Sequence, residues 1–143
     1  MSIGLGVTKV VTAEDVELNG SENTALLTYV ASKPVKLQRF GVVSTVAAGL
    51  LAPTRLKMRK IPVTTGTAED IAGAGVLNPG GAQDRGVLVY KDAEGSVFID
   101  AGDSITIAVD TAAGAANEGR VWLEVVEYPF SGSLVPDTAV KSA

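Results

Sequence analysis

Short runs rich in Val, Ile, Leu, Thr and Tyr alternate along this chain with clusters of Gly, Pro, Asn and Ser. That pattern predicts β-strands separated by turns. The runs are VTKVVTA (7–13), TALLTYVA (24–31), VKLQRFGVVSTV (35–46), RLKMRKIPV (55–63), GVLVYKD (86–92), SVFIDAGDSITIAVDT (96–111) and GRVWLEVVEY (119–128). The sixth holds two half-strands around the turn DAGD. No long stretch has apolar residues at the i, i+3, i+4, i+7 spacing of a helix. In the third run Val35, Leu37 and Arg39 alternate with Lys36, Gln38 and Phe40, and Gly41 is expected to mark a bulge or bend. Residues 64–86 are rich in Gly, Ala and polar side chains. They read as a long loop, with room for one helical turn after Thr67. Loops of that length are uncommon in a compact domain and often contact something else. Residues 1–6 and 129–143 show no period and read as extended arms. About eight strands with regularly spaced turn signals predict an all-β fold, an antiparallel β-sandwich of jelly-roll or Greek-key type.

Length and composition agree with one domain over 1–143. The chain has 143 residues, 46% of them apolar. A domain of this size buries roughly two-thirds of its unfolded surface and folds without staples. It contains no cysteine and no histidine. Thiolate chemistry, disulfides and Cys-based metal sites are thereby excluded, together with the commonest general base and metal ligand. An enzyme is the last of the readings, and no cofactor is expected. The longest uncharged run, FGVVSTVAAGLLAPT (40–54), is shorter than the roughly 20 apolar residues of a spanning helix. The start MSIGLGVTKV lacks the charge and apolar length of a secretory signal, so a soluble protein with no membrane partner is expected.

Charge singles out one strand. Arg55, Lys57, Arg59 and Lys60 fall within six positions of a chain whose net charge is −4. Strand geometry puts Arg55, Lys57 and Arg59 on one face and Leu56 and Met58 on the other, with Lys60 breaking the pattern. One reading is a solvated strand face, since edge strands carry such charges to block sheet-to-sheet pairing. A nucleic-acid grip fits poorly with an acidic chain whose basic run holds no aromatic residue. A third reading takes in the wider pattern. Residues 33–60 carry seven basic and no acidic side chains, whereas 61–143 carry twelve acidic and four basic ones. Were the fold to keep these on different sides, the basic face would suit oriented docking on a charged protein.

Other motifs are faint. IAGAGVLNPGG holds Gly73 and Gly75 without the spacing of a dinucleotide loop, and FSGSL is not a nucleophile elbow. Asp100 and Asp103 in FIDAGDSITI could hold calcium or act as an acid–base pair, but a tight turn around Gly102 explains them more simply. On the last strand Trp122 and Tyr128 share a face with Glu124 and Val126. Val121, Leu123 and Val125 form the cleaner apolar face and the better core candidate. The aromatic pair suits a second core layer, an interface or a ligand.

The second half, GVLVYKDAEGSVFIDAGDSITIAVDTAAGAANEGRVWLEVVEYPF, resembles small virion proteins of tailed bacteriophages, in particular capsid decoration or cement proteins. The likeness is one of style over roughly residues 40–130: a strand, a turn-and-strand, a small-residue loop and a final strand ending in an aromatic–Pro pair. It implies a β-sandwich or jelly-roll domain, usually a homotrimer, seated on the outer capsid surface of the virion. There it would bind the major capsid protein lattice and stabilise it by mass action. Arg55, Lys57, Arg59, Lys60, Trp122 and Tyr128 are the expected partner contacts, from charge and aromatic content rather than from a family motif. The alternatives are a carbohydrate-binding or host-recognition β-sandwich and another phage head or tail component.

Overall fold

The structure is a computed structural model that describes residues 6–13, 16–18, 21–45, 55–78, 86–111 and 118–128. Ten strands are present among them: β1 (Val7–Thr12), β2 (Val16–Glu17), β3 (Ala25–Val30), β4 (Val35–Ser44), β5 (Arg55–Ile61), β6 (Glu69–Asp70), β7 (Val76–Leu77), β8 (Leu88–Ile99), β9 (Ser104–Thr111) and β10 (Glu118–Glu127). The first sheet runs β1-β10-β4-β8, with β2 also on β10. The second runs β3-β9-β5, with β6 and β7 in line along the far side of β5. Every pairing is antiparallel. Early strands pair with late ones: β1 with β10, β3 with β9, β4 with β8, β5 with β6 and β7. That is a long antiparallel ribbon rolled up on itself, the jelly-roll order. The expected all-β antiparallel sandwich is therefore the observed fold.

Alternation decides what lies between the sheets. Val35, Leu37, Phe40 and Val42 of β4, with Val121, Leu123 and Val125 of β10, are almost wholly buried from one side. Leu56 and Met58 of β5, with Ile105, Ile107 and Val109 of β9, meet them from the other. Each such side chain contributes roughly 1.5–3 kcal/mol relative to exposure. Leu77 of β7 and Ala74 close one side of this core.

Three local expectations change. The bulge in β4 lies at Gln38, where both neighbouring registers shift, and not at Gly41. The extra residue turns Arg39 outward and Phe40 inward, so the alternation read across 35–40 switches faces midway. Residues 64–86 are not one loop. Glu69–Asp70 and Val76–Leu77 pair with β5, and a 3-10 turn at Ala72–Ala74 separates them. Finally, β8 is continuous through the residues expected to divide two strands, but its pairing with β4 breaks there, with residues 93–96 bulged between Asp92 and Val97. The turn at DAGD is real and carries the chain from the first sheet to the second, with Gly102 at φ 95°. Apart from Gly6, the expected arms at 1–6 and 129–143 lie outside the described residues. Among the described residues no helix is long and apolar enough to cross a membrane.

Candidate functional site

The basic strand is not an edge. β5 has β9 on one side and β6 and β7 on the other, so its charges do not guard a sheet border. The expected alternation holds: Leu56 and Met58 face the core, and Lys57 and Arg59 face outward. Outward does not mean available. The Lys57 side chain is only 7% exposed, with its ammonium 3.1 Å from Asp70, 3.7 Å from Glu22 and 3.9 Å from Asp110. Arg59 Nε donates to Asp70 Oδ1 at 2.8 Å, and Lys60 lies 3.7 Å from Asp103. Only Arg55, the exposed member of the four, has no ion pair among the described residues. Desolvation pushes the Asp70 carboxyl upward, but hydrogen bonds and charge from Lys57 and Arg59 outweigh it and hold its pKa below the ordinary aspartate value. The next strand, β6, lays Asp70 against the basic strand, and the later β9 with the turn before it brings Asp110 and Asp103.

The aspartates of the turn are likewise engaged. Asp103 Oδ1 accepts the Val63 N–H at 2.9 Å, and its carbonyl accepts the Ala31 N–H. A cleft of about 260 Å³ opens between β6 and β8, over Ile71, Val97, Phe98 and Ile99. Its rim groups Lys60 and Asp70 are already paired.

The outer face of the first sheet is different. Registers put its side chains in rows across β1, β10, β4 and β8. One row reads Thr8, Val126, Lys36, Phe98; the next Val10, Glu124, Arg39, Asp92; the next Thr12, Trp122, Gly41, Tyr90; and the last Arg120, Val43, Leu88. Val10, Leu88, Tyr90 and Phe98 are each about half exposed, at 55%, 52%, 52% and 48%. The exposed apolar side chains gather on the border strand β8, with Val10 across the sheet on β1 and the charged Glu124, Arg39 and Asp92 in the row between, a mixed surface of the kind that protein contacts use. Its cations are partly held: Arg39 Nε is 3.0 Å from Asp92 and its guanidinium 5.7 Å from the Tyr90 ring, while Lys36 sits 5.8 Å from the Phe98 ring.

Trp122 explains Gly41. The indole lies across β4 where Gly41 has no side chain. A Cβ there would come within 2.6 Å of both the ring and the Val89 carbonyl oxygen. Trp122 Nε1 is cut off from solvent and has no hydrogen-bond partner among the described residues. Tyr128 follows the end of β10, where its N–H donates to the Pro34 carbonyl. Of the expected contacts, the structure thus sets Trp122 on an open apolar face and Lys57, Arg59 and Lys60 in ion pairs. Val10, Leu88, Tyr90 and Phe98 were not singled out from sequence. The signal was there in VLVY (87–90), whose consecutive apolar residues make both faces of a strand apolar. Compared with protein-family models and with curated proteins, the chain matches none.

Proposed function

We propose that this protein works by adhesion, as a virion structural protein of the capsid-decoration type that binds the outer surface of a major capsid protein lattice and stabilises it. The observation that carries the reading is the outer face of the first sheet. Tyr90, Phe98, Leu88 and Val10 stand about half exposed on a rigid sheet, the composition of a protein contact rather than of a solvated face. The jelly-roll order recurs in viral capsid and lectin domains, which supports the class by analogy of fold alone. Stabilisation follows from binding the assembled lattice and not its free subunits.

The test is co-sedimentation of the purified protein with expanded phage heads. Saturable binding is expected, with a rise in the heads' melting temperature. Replacing Tyr90 and Phe98 together by Ser should reduce binding at least tenfold. Retention of full occupancy by that variant would remove the face from the account. A carbohydrate-binding reading is favoured by one detail, the Tyr90 and Trp122 side chains flanking Gly41 in a single row. A glycan-array signal lost on Trp122→Ala would replace the capsid reading.

A further inference from the structure

We infer that the cleft between β6 and β8 takes an extended peptide of a partner protein, added as a strand between the two sheets, with an apolar side chain turned inward and Lys or Arg two residues from it. The inference goes beyond the adhesive reading and does not depend on the outer face of the first sheet.

The rim side chains Lys60 and Asp70 have partners, but the rim backbone does not. Ile71 N–H donates to the Met58 carbonyl, one step beyond the pairs Lys60–Glu69 and Arg59–Asp70. Bonded positions in an antiparallel ladder recur every second residue. Glu69 and Ile71 therefore turn their peptide groups to β5, and Asp70 between them turns its own away. On the first sheet, Tyr128 N–H donates to the Pro34 carbonyl, one step before the pair Val35–Glu127. By the same period Lys36 bonds β10, while Val35 and Leu37 bond Ile99 and Val97 of β8. Phe98 then turns its N–H and C=O away from β4. Two borders, one from each sheet, thus direct backbone groups that are unpaired among the described residues toward one cleft.

Shape and chemistry select the occupant. The 3-10 turn and β8 touch at Gly73 and Gly95, where a Cβ on Gly95 would lie 3.8 Å from the Gly73 Cα. That contact shuts one end, and the cleft lies beyond it, between residues 69–73 and 97–99. Ile71 packs on the core from one side, with Val97 and Ile99 on the other. Glu69, two residues from Ile71, shares its side of β6. Lys60 lies opposite Glu69 in the ladder but turns to Asp103 at 3.7 Å. Glu69 has no ion pair among the described residues.

An added strand answers each feature. Its peptide groups bond Asp70 on one side and Phe98 on the other, which a small apolar ligand would leave unpaired. Its residues two apart share a face, so an apolar side chain beside Ile71 and Val97 brings Lys or Arg beside Glu69. A volume of about 260 Å³ suits a single strand, whereas a helix about 10–12 Å across is too wide.

The experiment is fluorescence anisotropy of a labelled peptide, Gly-Lys-Thr-Val-Thr-Lys-Gly, titrated with the full chain. Its palindromic order makes strand direction immaterial. Saturable binding is expected, and a peptide with Asp in place of Val should not bind. Phe98→Pro removes the N–H aimed at the peptide and keeps the bonds to β4, a place where edge strands accept proline. It should weaken binding about tenfold or more, whereas Phe98→Ala, which loses the ring and keeps the N–H, should stay within about twofold of the parent. Glu69→Lys, on an exposed side chain, should weaken binding about threefold and switch preference to a peptide with Glu in place of both Lys. That charge swap decides alone if Phe98→Pro does not fold. No saturable binding, folded Phe98→Pro and Phe98→Ala proteins that bind alike, or an unchanged preference in Glu69→Lys overturns the inference. Self-association of the chain that Phe98→Pro abolishes would give the cleft to a second copy and overturn it too.

Discussion

On the outer face of the second sheet, Lys57 is held among Asp70, Glu22 and Asp110, and Arg59 shares Asp70. On the outer face of the first, Leu88, Tyr90 and Phe98 project into water, and Trp122 Nε1 lies buried without an acceptor among the described residues. Both faces belong to strands of the same alternating kind. Apart from Arg55, the basic side chains of the one are matched by their own counter-ions, and the other has apolar area and a polar group unmatched among the described residues. Sequence draws the eye to the first kind because charge clusters stand out, yet a charge that has found its counter-ion offers a partner little. Even with Lys57 itself buried, its carboxylate partners Asp70 and Glu22 remain largely solvated, so each such pair contributes far less than a wholly buried one. Apolar area contributes roughly 25 cal/mol per Å² removed from water, and a face already ordered loses little entropy on contact.

Four variants or conditions bear on this contrast. Gly41→Val should have the largest effect, about 3 kcal/mol of lost stability in urea unfolding, since the Val89 carbonyl oxygen at 2.6 Å cannot move without its strand. A cost below about 1 kcal/mol would mean that the indole does not fill the glycine gap. Lys57→Met comes next. It removes the cation shared by three carboxylates and should cost about 1–3 kcal/mol, less than a wholly buried pair because Asp70 and Glu22 stay largely solvated. An unchanged urea midpoint would show the cluster to be ornamental.

Acid is a milder probe. The folded-state pKa of Asp70 lies below its unfolded value, so its contribution is present above about pH 3.8 and is lost as pH falls through the lowered value. With the carboxylate well exposed, well under about 1 kcal/mol is expected. A scan of melting temperature from pH 6 to 3 should show a smaller acid drop in Lys57→Met than in the parent protein. The smallest effect on stability belongs to Tyr90→Ser with Phe98→Ser, within about 0.5 kcal/mol. A large destabilisation there would show these rings to be core, not contact.

Much of the fold could be read in the chain. Val121, Leu123 and Val125 alternate cleanly, and so do Leu56 and Met58, and all are buried. Those positions answer to a period of two, which is local. The bulge at Gln38 was missed because a bulge is set by pairing with two neighbouring strands at once, and Gly41 was the more conspicuous residue. Glu69–Asp70 and Val76–Leu77 were missed because two-residue strands carry no period of their own and exist only through β5. Trp122 was legible as lying on the face opposite Val121, Leu123 and Val125, with a second core layer, an interface and a ligand left open for it, whereas Tyr90 and Phe98 needed the sheet around them before they formed a surface.

What the amino-acid order determined by itself was the strand class, the inward set of most strands and the uneven spread of charge, because each depends on near neighbours along the chain. What only the tertiary structure decided was where that charge went. β5 takes β6 on one side and the later β9 on the other, so Lys57, Arg59 and Lys60 from the basic stretch meet Asp70 from the former and Asp110 and Asp103 from the latter and the turn before it. Separation in sequence thus became neutralisation in space, and the open surface passed to Val10, Leu88, Tyr90 and Phe98.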